Sequence, residues 1–178
     1  MCRIVLVLLC AGLCGGPAMA EEVAWRFAWE GEGGYVMRGG MSYDARTVTG
    51  PLVTAGDVTC FFIEGSRDGA VVGTWGLTRL NEETWWKLHF DPASAQFLVE
   101  GMGVDMPQAW NMDGFGTSCG PGGFGFNIGN AAQDLCVDGA LIVESQVDPY
   151  RAFPAERADG MRFPGYACYG PALMSALE

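Results

Sequence analysis

Residues 23–30 read VAWRFAWE, with Val23, Trp25, Phe27 and Trp29 on one parity and Ala24, Arg26, Ala28 and Glu30 on the other. Side chains of an extended chain point alternately to opposite faces. This period of two therefore predicts a β-strand with an aromatic face in a core and a second face in water. The rhythm resumes after Gly31, Gly33 and Gly34, with Tyr35, Met37, Met41 and Tyr43 in phase up to Asp44. Gly39 and Gly40 carry no side chain in the middle of that run, which predicts a bulge or a close approach by a neighbouring backbone.

Working outward, residues 58–64 (VTCFFIE) read as a largely buried strand, and the segment 65–69 (GSRDG) turns the chain. Asp-Gly tolerates the positive φ that tight hairpins require. The return strand, 70–80, places Val71, Trp75 and Leu77 on one face. In 84–90, Trp86, Leu88 and Phe90 point inward, leaving Trp85, Lys87 and His89 on the wetter face; after a turn at 91–94, Phe97 and Val99 point inward again. The expectation is three successive hairpins forming a meander.

Between Gly101 and Asn130 the alternation fades, and a long covered loop or irregular hairpin is expected. One helical turn capped by Asn130 is expected over 131–135, then a hairpin or strand entry over 135–143 around Asp138-Gly139. Prolines at 149, 154, 164 and 171 predict that residues 145–178 form an extended tail packed on the body. No internal repeat, low-complexity tract or heptad pattern is present. The expected fold is all-β, an antiparallel β-sandwich or meander barrel with a disulfide-clamped Gly-rich loop.

Residues 1–20 combine Arg3, an apolar run from Ile4 to Leu13, and small residues at Ala18 and Ala20. This is the pattern of a secretory signal peptide, and its apolar run falls short of the roughly 20 residues of a membrane span. Residues 21–178 are then a single β domain, periplasmic or secreted. Neither Cys10 nor Cys14 follows a small residue, as lipidation would require. Without Arg3, nine cations face 21 acids, a net charge of −12. That balance disfavours nucleic acid, whose phosphates need clustered Lys and Arg. Cys60, Cys119, Cys136 and Cys168 remain after the leader, an even number that implies disulfides in an exported chain. Four cysteines allow three connectivities. The expectation carried forward joins Cys119 to Cys136 as a local clamp and Cys60 to Cys168 as a tie on the tail.

The segment 110–136 gathers the motif matches. Gly116-Thr117-Ser118-Cys119-Gly120 fits the nucleophile-elbow pattern, but no apolar strand precedes it and Pro121 stands where its helix should begin. Its acid-base partner would have to be His89, the only histidine, with Asp105 or Asp113 as the third member. Gly120, Gly122 and Gly125 fit a dinucleotide loop without the βαβ context that loop needs; glycine makes up 27 of 178 residues, so such matches arise by composition. Glu82, Glu83, Asp91, Glu100, Asp105 and Asp113 offer carboxylate pairs for glycoside hydrolysis, none in a context that marks an acid. Asp105, Asn111 and Asp113 are oxygen ligands close enough in sequence for calcium, without EF-hand spacing. Trp85, Lys87 and His89, with Trp110, form the candidate ligand-contacting set; packing of the tryptophans into sheet or core is the ordinary alternative.

The run Gly40-Met41-Ser42-Tyr43-Asp44, followed by Gly50, Asp57-Val58 and Phe90-Asp91, resembles a pattern in bacterial exported β-rich proteins. In these a Ser-Tyr-Asp strand leads into a meander with a Phe-Asp turn. The resemblance covers about residues 35–100. It implies export and a β-rich fold, and it assigns no catalytic residue. Such proteins often carry a C-terminal sorting segment, whereas here the sequence up to Glu178 shows no terminal apolar anchor. The functional expectation is a non-catalytic binding or structural module of the cell envelope or extracellular space. Its partner would be a glycan or an envelope protein, with no cofactor. The alternative is an extracytoplasmic hydrolase.

Overall fold

The computed structural model describes residues 21–169; the expected signal peptide and the last part of the expected tail lie outside the described residues. The strands are β1 (Glu22–Glu30), β2 (Tyr35–Asp44), β3 (Val53–Thr54), β4 (Val58–Arg67), β5 (Ala70–Gly76), β6 (Trp85–Lys87) and β7 (His89–Asp91). They continue with β8 (Gln96–Phe97), β9 (Gln108–Met112), β10 (Phe124–Ile128), β11 (Gln133–Val137), β12 (Ala140–Leu141) and β13 (Phe153–Arg157). All pairings are antiparallel. An eight-stranded sheet runs in the order β3-β7-β8-β13-β1-β2-β4-β5, and a five-stranded sheet in the order β12-β11-β10-β9-β6.

The two sheets enclose one aromatic core, as in a sandwich. Trp25, Phe27 and Trp29 project into it from β1, and the fully buried Trp110 of β9 sits at its centre. Around Trp110 pack Phe27, Phe61, Phe97, Phe126 and Phe153, in edge and tilted arrangements that suit the ring quadrupoles. Trp29 Nε1 donates to Gln133 Oε1 at 2.9 Å, so a buried polar pair also joins the sheets. The strand-forming glycines work by proximity. A Cβ at Gly39 would collide with the Phe62 carbonyl oxygen and lie 2.5 Å from Phe27 Cζ. The bulge in this ladder lies on β4, where Thr59 is the extra residue opposite Ser42 and Tyr43.

Several expectations are corrected. The β4–β5 hairpin forms, but β4 runs to Arg67, and the turn is Asp68-Gly69 alone, both at positive φ. A bulge after Gly65 leaves Val72 as the extra residue of β5, which shifts the phase: Val71 is exposed and Val72 packs on the core. β5 does not pair with β6, so the meander is broken. The chain crosses between sheets at the fully buried Leu88, with β6 in one sheet and β7 in the other. Gln108 stitches that crossing, its Nε2 donating to the carbonyls of His89 (2.8 Å) and Leu98 (2.9 Å).

Within 101–130 the irregular hairpin is the alternative that forms: β9 and β10 pair antiparallel, every residue of both buried. The expected helical turn at 131–135 leads instead into β11. The hairpin around Asp138-Gly139 is present, with both residues at positive φ. The tail contributes a central strand: β13 lies between β8 and β1, pairing Ala155 with Phe27 and Phe153 with Phe97. Pro154 lies just outside the register with β1, where its missing N–H costs no rung of that ladder. The rest of the described tail returns across β4. Phe61 N donates to the Ala167 carbonyl at 2.7 Å, and Cys168 is bonded to Cys60.

Candidate functional site

The outer face of the five-stranded sheet is built from residues out of phase with the core. In β10, Phe124, Phe126 and Ile128 belong to the core, so Gly125 and Asn127 turn outward; in β11, Asp134 and Cys136 pair with them. This face is not left to solvent. The loops 99–107 and 113–123 fold over it, and Ala109, Met112, Cys119 and Cys136 form a second apolar cluster beneath them. The second disulfide, Cys119–Cys136, pins the glycine-rich loop to β11. Both expected pairings are therefore present.

Between these loops lies a cavity of about 610 Å³ lined by Glu100, Asp105, Thr117, Asn127, Asp134 and Gln146, with Phe115 and Met106. Asp134, 3% exposed, accepts from Gln146 Nε2 at 3.0 Å and more weakly from its cross-strand partner Asn127 Nδ2 at 3.4 Å. Burial pushes the Asp134 carboxyl above the ordinary aspartate value, although these two donors oppose the shift. Asn127 Oδ1 and Glu100 Oε2 are buried with no hydrogen-bond partner among the described residues. Gly116, at φ +70°, brings its backbone over Asn127; a Cβ there would lie 2.9 Å from Oδ1. The cavity thus concentrates buried acceptors, two of them unpaired.

A second cavity, about 480 Å³, lies on the other side of the glycine-rich loop and is lined by Trp75, Arg79, Thr84, Asn111, Asp113 and Ser118 with the glycines 120, 122 and 123. Asn111 is the extra residue of a β9 bulge opposite Trp85 and Trp86, at φ +56°. Its amide donates to the Phe124 carbonyl at 2.9 Å and its Oδ1 accepts from the Thr84 hydroxyl at 2.7 Å, so the side chain restores bonds that the bulge removes.

Trp85, Lys87 and His89 share the outward parity expected of them. Trp85 is 53% exposed and stacks close to Gly114, where a Cβ would meet its ring at 2.9 Å. Lys87 Nζ donates to the Asp105 carbonyl at 2.7 Å, and His89 Nδ1 lies 2.9 Å from the Pro107 carbonyl, so both hold the loop 99–107 down. Trp110 is corrected out of this set: it is the centre of the core and presents no surface. The expected calcium ligands are separated, since Asn111 and Asp113 line one cavity and Asp105 the other. Asp113 accepts from Phe115 N (3.1 Å), Thr117 N (2.7 Å) and Thr117 Oγ1 (2.7 Å). Burial pushes its carboxyl up, but these bonds outweigh it and hold the pKa below the usual aspartate value.

Ser118 Oγ accepts from Gly120 N at 3.2 Å, and among the described residues no hydrogen bond links it to His89. Of the carboxylates, Asp91 caps its own turn through Ala93 N and Ser94 Oγ. Glu100 and Asp105 line the same cavity as Asp134, which sequence reasoning missed together with Asn127 and Gln146. The usable signal was their parity: Asn127 alternates with Phe126 and Ile128, and Asp134 sits beside Leu135. Among the described residues no three His, Cys, Asp or Glu side chains form a metal-holding group, and no helix is long and apolar enough to cross a membrane. No protein-family model matches this chain, and neither a curated protein nor a solved structure shows significant similarity to it.

Proposed function

We propose that this protein is an exported, non-catalytic binding module of the cell envelope or extracellular space, and that its ligand enters the cavity above Asn127 and Asp134. The observation that carries this reading is a cavity of about 610 Å³ whose wall brings Asn127, Asp134, Gln146 and Glu100 together. The cavity is walled by two loops that the Cys119–Cys136 bridge, Lys87 and His89 hold in place, a pre-formed site rather than one assembled on binding.

Export is supported by the leader-like residues 1–20 and by two disulfides, which persist in oxidising compartments. A net charge of −12 beyond the leader argues against nucleic acid as a partner and leaves a glycan or an envelope protein. The test is a glycan and metabolite binding screen of residues 21–178, run beside Asn127→Ala and Trp85→Ala. Hits should be lost with Asn127→Ala and survive Trp85→Ala, which lies outside the cavity. Turnover of a hit, abolished by Asp134→Asn, would replace this reading with that of an extracytoplasmic hydrolase.

A further inference from the structure

We propose that the occupant of the Asn127–Asp134 cavity is a small organic cation, bound through a primary ammonium or guanidinium group. The proposal rests on the reading of this cavity as a binding site and adds the chemistry of what it takes.

The charge of the lining side chains sets the sign of the occupant. Three carboxylates, Glu100, Asp105 and Asp134, line the cavity, and among the described residues no Lys, Arg or His does. Its buried unpaired atoms are both acceptors. Among its side chains, the Gln146 amide donates to Asp134 and the Thr117 hydroxyl to Asp113. Ammonium and guanidinium groups donate only and carry the opposite charge, so they suit a wall of three carboxylates.

Size separates this ligand from a bare metal ion. The carboxylates do not converge on one point among the described residues, and about 610 Å³ exceeds what a dehydrated ion fills. At the mouth stands Phe115, 86% exposed on the loop that caps Asn127. An exposed phenyl face beside an acidic cavity favours a cation through its ring quadrupole.

Isothermal titration of residues 21–178 at low ionic strength tests the proposal with spermidine, with agmatine, and with a blocked lysine- or arginine-containing tripeptide. These arms distinguish a free amine from a side chain of a peptide. Trehalose and calcium chloride serve as the neutral and metal arms. The expected result is saturable one-site binding of at least one organic cation, weakened about tenfold or more by Glu100→Gln with Asp105→Asn. Glu32→Gln with Glu64→Gln removes the same charge from exposed positions elsewhere and should leave the affinity within about twofold.

Equal weakening by both pairs would mean diffuse surface attraction and would overturn the proposal. Calcium binding that outcompetes the amines would also overturn it. Should trehalose bind, and be lost with Asn127→Ala, the cavity remains a binding site while the cation assignment fails. If no arm binds, the reading of the cavity as a site fails as well. Circular dichroism of each variant confirms that the compared proteins are folded.

Discussion

Gly39 and Asp134 are two single positions whose surroundings dictate measurable outcomes. A methyl group at Gly39 would press on the Phe62 carbonyl and the Phe27 ring, both held in the sheet. Gly39→Ala is therefore expected to lower stability by about 1–3 kcal/mol, the usual cost of overpacking, read from urea unfolding. Asp134 acts through its proton. Because burial raises its pKa in the folded state, the unfolded chain loses this proton at lower pH than the folded one. Stability therefore falls as pH rises from the unfolded aspartate value, about 3.9, through the raised folded value, and the loss stays constant above it. Asp134→Asn removes that penalty and keeps an acceptor for Gln146. The thermal midpoint of the variant should exceed that of the parent at pH 7, and the difference should vanish below about pH 4. A difference independent of pH would show that packing, not ionisation, separates the two.

At the level of elements, the strands with one wet face were legible and those without were not. β1 and the first half of β2 alternate because Arg26, Glu30 and Arg38 face water while Trp25, Trp29 and Met37 are buried. β9, β10 and β11 carry Gln108, Asn111, Asn127, Gln133 and Asp134 into buried positions, where each is held by a specific partner. Burial on both faces removes the period of two, and buried polar residues imitate a loop. The candidate site shared this fate, since two loops cover the very face that carries it. Trp85, Lys87 and His89 were assigned the correct side, whereas Asn127 and Asp134 needed the hairpin register to be brought together. β13 was hidden by Pro154, whose tolerance depends on the short ladder with β1. Its position makes a test: a chain ending at Val147 lacks the strand between β1 and β8. Near-ultraviolet circular dichroism of that truncation should lose the signal of the packed aromatic core, because Phe153 contacts Phe27, Phe97 and Trp110. Retention of a native-like spectrum would return residues 145–178 to the status of a dispensable tail.

At the scale of the whole molecule, the two bridges differ in the length of chain they close. Cys60–Cys168 spans 108 residues and Cys119–Cys136 spans 17. On the chain-entropy model the first is worth about 4.7 kcal/mol and the second about 3. The double variant Cys60→Ser, Cys168→Ser should accordingly lose more stability than Cys119→Ser, Cys136→Ser in urea unfolding under non-reducing conditions. The reverse order would assign the larger role to native packing under the glycine-rich loop. The placement of β13 also bears on synthesis. The ladder that pairs Trp25 with Arg157 holds the middle of the eight-stranded sheet, so the large sheet stays split until residue 157 has been made. Contacts so distant in sequence form slowly. Were the chain exported N-terminus first, as proposed, the two parts of the large sheet would join only after residue 157 had emerged.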